Sequence, residues 1–180
     1  MANEEPRDYS DVDLVNEEVF NHFKDFSWQE VQDFHEHSYQ ELDKQLRLIE
    51  EEDLLDGQRY DWLRGRSLWR RTVHNGYFHP QGHIAFYFSQ HGDKHSGNQL
   101  MEEVTKTLLI LDELPVWQGR AVYNLACYYA LTGEKEIAIE KLGEAFPLSP
   151  DMIEWSMSDT DLDSIRDEPG YQALVSGNLR

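Results

Sequence analysis

The chain has 180 residues, enough for one domain or two small ones. Hydrophobic residues make up 39% and aromatics 12%, which supports a packed core and excludes global disorder. The net charge of −19 opposes nucleic acid and anionic membrane surfaces, and no apolar run reaches the ~20 residues that would span a bilayer.

Charge is spread unevenly. Residues 1–56 carry 18 acids and 4 bases, residues 57–99 carry 2 and 6, and residues 100–180 carry 15 and 6, so only the middle is basic. There Arg64, Arg66, Arg70 and Arg71 cluster in RYDWLRGRSLWRR. They read as a docking patch for an acidic partner or phosphate, or as partners of the chain's own carboxylates. Residues 1–10, MANEEPRDYS, read as a flexible tail and are acidic, unlike a secretory or mitochondrial leader. The single cysteine, Cys127, cannot close an internal disulfide. These features together predict a cytoplasmic setting.

Helical periodicity runs through most of the chain. Val12, Val15, Val19 and Phe23 recur at helical spacing. Ser27 with Glu30 three residues later predicts a capping box, in which side chains and backbone amides bond reciprocally. That helix is predicted to run to about Leu55, with Gly57 marking its stop. A third helix is predicted over Gln58 to about Val73, with Tyr60, Trp62, Leu63, Leu68 and Trp69. HNGYFHPQG then reads as a loop, rich in breakers. A fourth helix is predicted from about Gln81 to Gln90, a break at HGDKHSGN, and a fifth from about Gln99 to Leu114, terminated by Pro115. AFYF alone could pass for a strand, but the flanking pattern makes it helix.

Residues 119–152, which end in YNLACYYALTGEKEIAIEKLGEAFPLSPDM, form a helix–turn–helix unit. Leu125, Ala126 and Tyr129 fall at small-and-large positions of the first helix. Gly133 sits at the turn, Ala138, Leu142 and Ala145 line the second helix, and Pro150 closes the unit. This unit resembles a tetratricopeptide repeat over the whole ~34-residue period. It departs from the pattern at Val122, where a Trp is usual. Ala126 and Ala138 are expected at the closest approach of its two helices. The following SDTDLDSIRDEPGYQALV resembles the acidic segment after the last repeat in many bacterial proteins of this type, through Asp161, Leu162, Ile165, Arg166, Pro169, Tyr171 and Leu174. A repeat stack needs such a terminal cap, because its last unit would otherwise leave an apolar face in water. Placing Gly92 where Gly133 lies brings Ile84, Ala85 and Phe88 onto Leu125, Ala126 and Tyr129. Residues 76–118 then resemble a second, degenerate unit with a longer loop.

The resemblance implies an all-α fold of TPR-like antiparallel helix pairs packed with an N-terminal helical region. The expected divisions are a tail over 1–10, a helical region over 11–75, the degenerate pair over 76–118, the repeat over 119–152 and capping helices over 153–180. It also implies a concave groove lined by the first helix of each unit. Carried over, that groove is His79, His83 and Phe86 from the degenerate unit, with Arg120, Tyr123, Asn124 and Cys127 from the better one. Such a face suits an extended or helical peptide. The carboxylate clamp of some family members is matched only at Asn124.

Five histidines fall between 74 and 95, and His79/His83 and His91/His95 have the i,i+4 spacing of zinc ligands on a helix. Pro80 follows the first pair's opening residue, Gly92 interrupts the second, and neither has an adjacent glutamate, so no metal site is expected. No phosphate loop, dinucleotide fingerprint or nucleophile elbow occurs, and no cofactor is expected. The reading is a non-enzymatic adaptor or scaffold whose partner is another protein or peptide. Two alternatives come from other classes: a His-rich metal-binding protein or small metalloenzyme, and an acidic regulatory subunit that masks a basic partner.

Overall fold

The structure is a computed structural model and describes residues 11–178; the tail expected over residues 1–10 lies outside them. The described residues form ten α-helices, short 3₁₀ and π turns, and no strand, so the fold is all-α. The chain divides into two compact units between Ser67 and Leu68.

In the first unit, α1 spans Val12–Phe23 and starts at Asp11, whose side chain accepts from the Leu14 amide. The Ser27 capping box forms as expected: Ser27 N donates to Glu30 Oε2 at 2.8 Å, and Glu30 N donates to Ser27 Oγ at 3.3 Å. The helix it opens, α2, is shorter than expected. It spans Trp28–Leu46, and a separate α3 covers Glu51–Leu55. At the break, Leu48 and Ile49 bond back three residues instead of four, and Glu50 turns extended at φ −65° and ψ 145°. No Gly or Pro marks this break. The acids Glu51, Glu52 and Asp53 fill the first turn of α3, where the positive end of the helix dipole favours them.

The helix expected over Gln58–Val73 is also interrupted. A single 3₁₀ turn covers Asp61–Leu63, then Arg64 and Gly65 take positive φ of 51° and 84°. A Cβ added to Gly57 would lie 2.6 Å from the Gly65 carbonyl oxygen, so this turn folds tightly on glycine backbone.

In the second unit, the expected HNGYFHPQG loop is helical. α4 (Leu68–Val73), a π turn (His74–Phe78) and α5 (His79–Gln90) follow without a gap. The His79 amide reaches back to the His74 carbonyl, and the wider turn admits Pro80, whose nitrogen has no hydrogen to donate, at the start of α5. The breakers are thus absorbed instead of ending the helix.

Two helix hairpins follow: α5 with α6 (Lys94–Leu111), and α7 (Pro115–Thr132) with α8 (Lys135–Leu148). Their turns match. Gly92 and Gly133 have φ of 88° and 84°. Each donates to a carbonyl three residues back at 3.3 Å, Ser89 or Ala130, and the next amide closes on Phe88 or Tyr129 at 2.9 and 2.8 Å. This is the helix-ending geometry that glycine permits. The loop of the first hairpin, residues 91–93, is one residue longer than that of the second, residues 133–134. α6 starts at Lys94, five residues before the expected Gln99, because Asp93 caps it by accepting from the Ser96 amide. α6 ends at Leu111, and Pro115 opens α7.

Small residues sit at matching points of both hairpins. Ala85, Ala126 and Ala138 are fully buried, and the fourth corner is the buried Gly97. The hairpins differ in cover: Ile84 and Phe88 are 45% and 36% exposed, whereas Leu125 and Tyr129 are 4% and 2%. The core centres on α7 and α8, with Tyr128, Leu142, Phe146, Met101, Leu162 and Ile165. The last two come from a 3₁₀ turn, Thr160–Ile165, that packs on α7 between α9 (Asp151–Ser156) and α10 (Pro169–Asn178).

Candidate functional site

A cleft of about 290 Å³ opens between α5 and α7. It is lined on one wall by Phe78 at the end of the π turn and by His79, Gly82, His83 and Phe86 of α5, which share one helical face. On α7 it is lined by Asn124, Cys127, Tyr128 and Leu131, again one face. Met101 of α6 forms the floor, and Asp161 of the C-terminal 3₁₀ turn forms one rim. Phe86 meets Tyr128 edge to face, with ring centroids 5.4 Å apart.

Five of the seven predicted groove residues meet here: His79, His83, Phe86, Asn124 and Cys127. The other two are engaged elsewhere. Arg120 pairs with Asp151 at 2.7 Å, and Tyr123 is 3% exposed with its hydroxyl donating to Asp159 Oδ2 at 2.8 Å. The reason is the C-terminal segment, which lays Asp159 over this part of α7. Asp159 Oδ2 also accepts from Trp155 Nε1 at 3.2 Å and from the Cys127 thiol at 3.8 Å.

Sequence reasoning missed Phe78, Gly82, Met101, Tyr128, Leu131 and Asp161. Helical spacing from His79 and Asn124 points to Phe78, Gly82, Tyr128 and Leu131. Met101 and Asp161 come from distant segments, and only tertiary packing brings them in.

The polar groups have distinct characters. His79 Nε2 and His83 Nε2 lie 3.0 Å apart. Burial, then the neighbouring His83 charge, holds the His79 imidazole below its ordinary range. Burial, then Asp159, pushes the Asp161 carboxyl up. Burial also pushes the Cys127 thiol up, with Asp159 adding to it, so the thiolate form is disfavoured. Asn124 makes no side-chain hydrogen bond to a described residue and offers its amide to the cleft. Among the described residues, no group of three or more His, Cys, Asp or Glu is arranged to hold a metal ion.

The close imidazole pair has a measurable consequence. Because folding lowers the His79 pKa, the unfolded chain takes up that proton first. Its effect on stability is therefore absent above the unfolded value of about 6.5 and becomes destabilising as pH falls below it. In His83→Ala the neighbouring charge is gone, and His79 is expected to titrate higher than in the parent chain. NMR of the ring protons reads this directly, and an unchanged titration would mean that the rings do not meet in solution.

The basic stretch is divided. Arg64 and Arg66 belong to the first unit and Arg70 and Arg71 to the second. Arg70 is committed to its own chain: it pairs with Asp112 at 2.6 Å and lies 5.4 Å from the ring centroids of both Trp69 and Trp117. Arg64, Arg66 and Arg71 make no ion pair with a described residue, so the internal-pairing reading holds for one arginine of the four.

No helix among the described residues is long and apolar enough to cross a membrane. No protein-family model, curated protein or solved structure matches the chain.

Proposed function

We propose that the cleft between α5 and α7 binds a segment of another protein, and that the chain is an adaptor or scaffold of the tetratricopeptide-repeat type. The observation that supports this most is the lining. Two helix faces present Phe78, Phe86 and Leu131 as apolar contact area, with Asn124, His79 and His83 beside them as hydrogen-bonding groups. Aromatic anchors beside a few polar groups are the usual basis of peptide recognition. The volume of about 290 Å³ sits at the low end of roughly 300–1,000 Å³ for small-molecule sites. It suits one or two anchoring side chains of a longer segment. The metalloenzyme reading rests on His79 and His83 alone and has less support than the peptide reading.

The test is selection of peptides from a displayed random library on the full chain, followed by affinity measurements with the variants. Phe86→Ala is expected to weaken selected peptides by about 1–2 kcal/mol, roughly five- to thirtyfold. Asn124→Ala should weaken them by about 0.5–1.5 kcal/mol if its amide bonds the peptide backbone. Arg120→Ala, outside the cleft, should leave affinity within about twofold. Peptides that bind equally well to all three variants would remove the cleft as the binding site.

A further inference from the structure

We propose that the exposed apolar stripe of α2 docks a cationic amphipathic helix of another protein. This surface lies in the first unit and is separate from the cleft.

Neither α1 nor α2 contains a buried residue, although they run 12 and 19 residues. The two helices do not pack along their lengths and meet at their junction, where Phe23 lies 5.2 Å from Phe26 and 4.9 Å from Phe34 between ring centroids. Away from that cluster, Trp28, His35, Tyr39, Leu42 and Leu46 recur at spacings of seven, four, three and four residues, which places them in one stripe along α2. Along it, Trp28 is 74% exposed, Tyr39 44% and Leu42 38%. A helix that packs along no neighbour gains little stability from its own hydrogen bonds, and an apolar stripe of this length marks a surface that something covers.

Charge selects what covers it. Residues 11–56 carry 15 acidic and 3 basic side chains. On α2, Glu36 and Asp43 fall along one edge of the apolar stripe at helical periodicity, while Glu30, Asp33 and Glu41 fall toward the opposite face. Some have basic neighbours on the same helix, Arg47 on Asp43 at 2.7 Å and Lys44 on Glu41 at 3.3 Å, but these pairs are exposed and hold the acids only weakly. A second copy of this face would set acid against acid. Anionic lipid and nucleic acid are repelled for the same reason. A protein helix with an apolar stripe flanked by Lys and Arg matches both features: the stripe supplies buried area, and the flanking charges supply register and a fast association.

The probe is a fluorescently labelled Leu/Lys peptide about five helical turns long, with Leu in one helical stripe, titrated into the full chain. Two controls have the same length: a scrambled Leu/Lys sequence and a Leu/Glu analogue. The patterned Leu/Lys peptide should bind at least about tenfold tighter than either control, and its affinity should fall as salt rises. Trp28→Ser should weaken it about fivefold or more, and the triple substitution Trp28→Ser, Tyr39→Ser, Leu42→Ser should do so by more. Phe86→Ala, in the cleft, should leave it unchanged, so failure here and failure of the cleft reading are separable. Trp28 is mostly exposed, so the single variant keeps its fold even if the triple one does not. Equal binding of the scrambled peptide would show charge attraction only and would overturn the proposal. So would strong binding of the Leu/Glu peptide, indifference to Trp28→Ser, or a dimer of the chain that Trp28→Ser dissociates.

Discussion

Leu162→Ala is expected to lower the stability of the second unit by about 2–5 kcal/mol. Leu162 and Ile165 are fully buried although they sit on a short 3₁₀ turn near the end of the chain. Several bonds hold that turn in place. Asp159 caps it by accepting from the Asp161 amide at 3.1 Å, and its other carboxylate oxygen takes the Tyr123 hydroxyl. The Arg166 guanidinium donates to the carbonyls of Ser156, Met157 and Asp159. Because these bonds fix the backbone, the space left by the lost side chain cannot collapse easily, which places the cost in the upper part of the range. Ser176→Ala, on an exposed position of α10, should stay within about 0.5 kcal/mol. Urea unfolding of the two variants checks both values. A loss below about 1 kcal/mol for Leu162→Ala would mean that the turn is not docked on α7, and Tyr123 and Cys127 would then be open to a ligand.

That docked turn also shows where sequence reasoning runs out. Treating the first helix of each unit as one continuous groove wall put Tyr123 and Arg120 beside Asn124. Periodicity identifies a helix face but not what else packs on it. Asp159 and Asp151 lie more than thirty residues downstream, and only the fold brings them onto Tyr123 and Arg120. The features that were legible are local ones. The Ser27–Glu30 capping box, Pro169 at the start of α10 and glycine at the turns each satisfy a backbone requirement through neighbours in sequence. Even local signals misled where they competed. Asn75, Gly76 and Pro80 promised a loop, yet a π turn satisfies the same constraints and keeps the helix running. That turn leads straight into α5 and places Phe78 and His79 on the cleft. At Arg47–Glu50 the opposite happened: residues that suit a helix gave one up, and the four successive acids begin α3 instead.

Gly97→Ala is expected to destabilise the second unit by about 1–3 kcal/mol through overpacking, despite a change in helix propensity that works the other way. Alanine in a helix interior is favoured over glycine by about 1 kcal/mol, so the packing term must exceed that to set the sign. It should, because the contact is rigid. A Cβ at Gly97 would lie 2.5 Å from the Tyr128 hydroxyl and 2.7 Å from the Ala85 carbonyl oxygen. The hydroxyl belongs to a buried tyrosine of the core, and the carbonyl is α5 backbone, so neither can step aside without moving a helix. The first hairpin would have to open where Gly97 faces Ala85, and α5 would shift along the cleft. Gly82→Ala is the matched opposite. Gly82 also lies inside a helix, but nothing stands within 4 Å of a Cβ there, so propensity alone should act and stabilise by up to about 1 kcal/mol. Because Gly82 lines the cleft, the added methyl would occupy space a ligand needs, and peptide affinity should fall while stability rises. Thermal unfolding of the two variants gives opposite signs if the helices pack as described. A Gly97→Ala protein as stable as its parent would mean that α5 and α6 do not approach this closely, and the α5 wall of the cleft would have to be placed again.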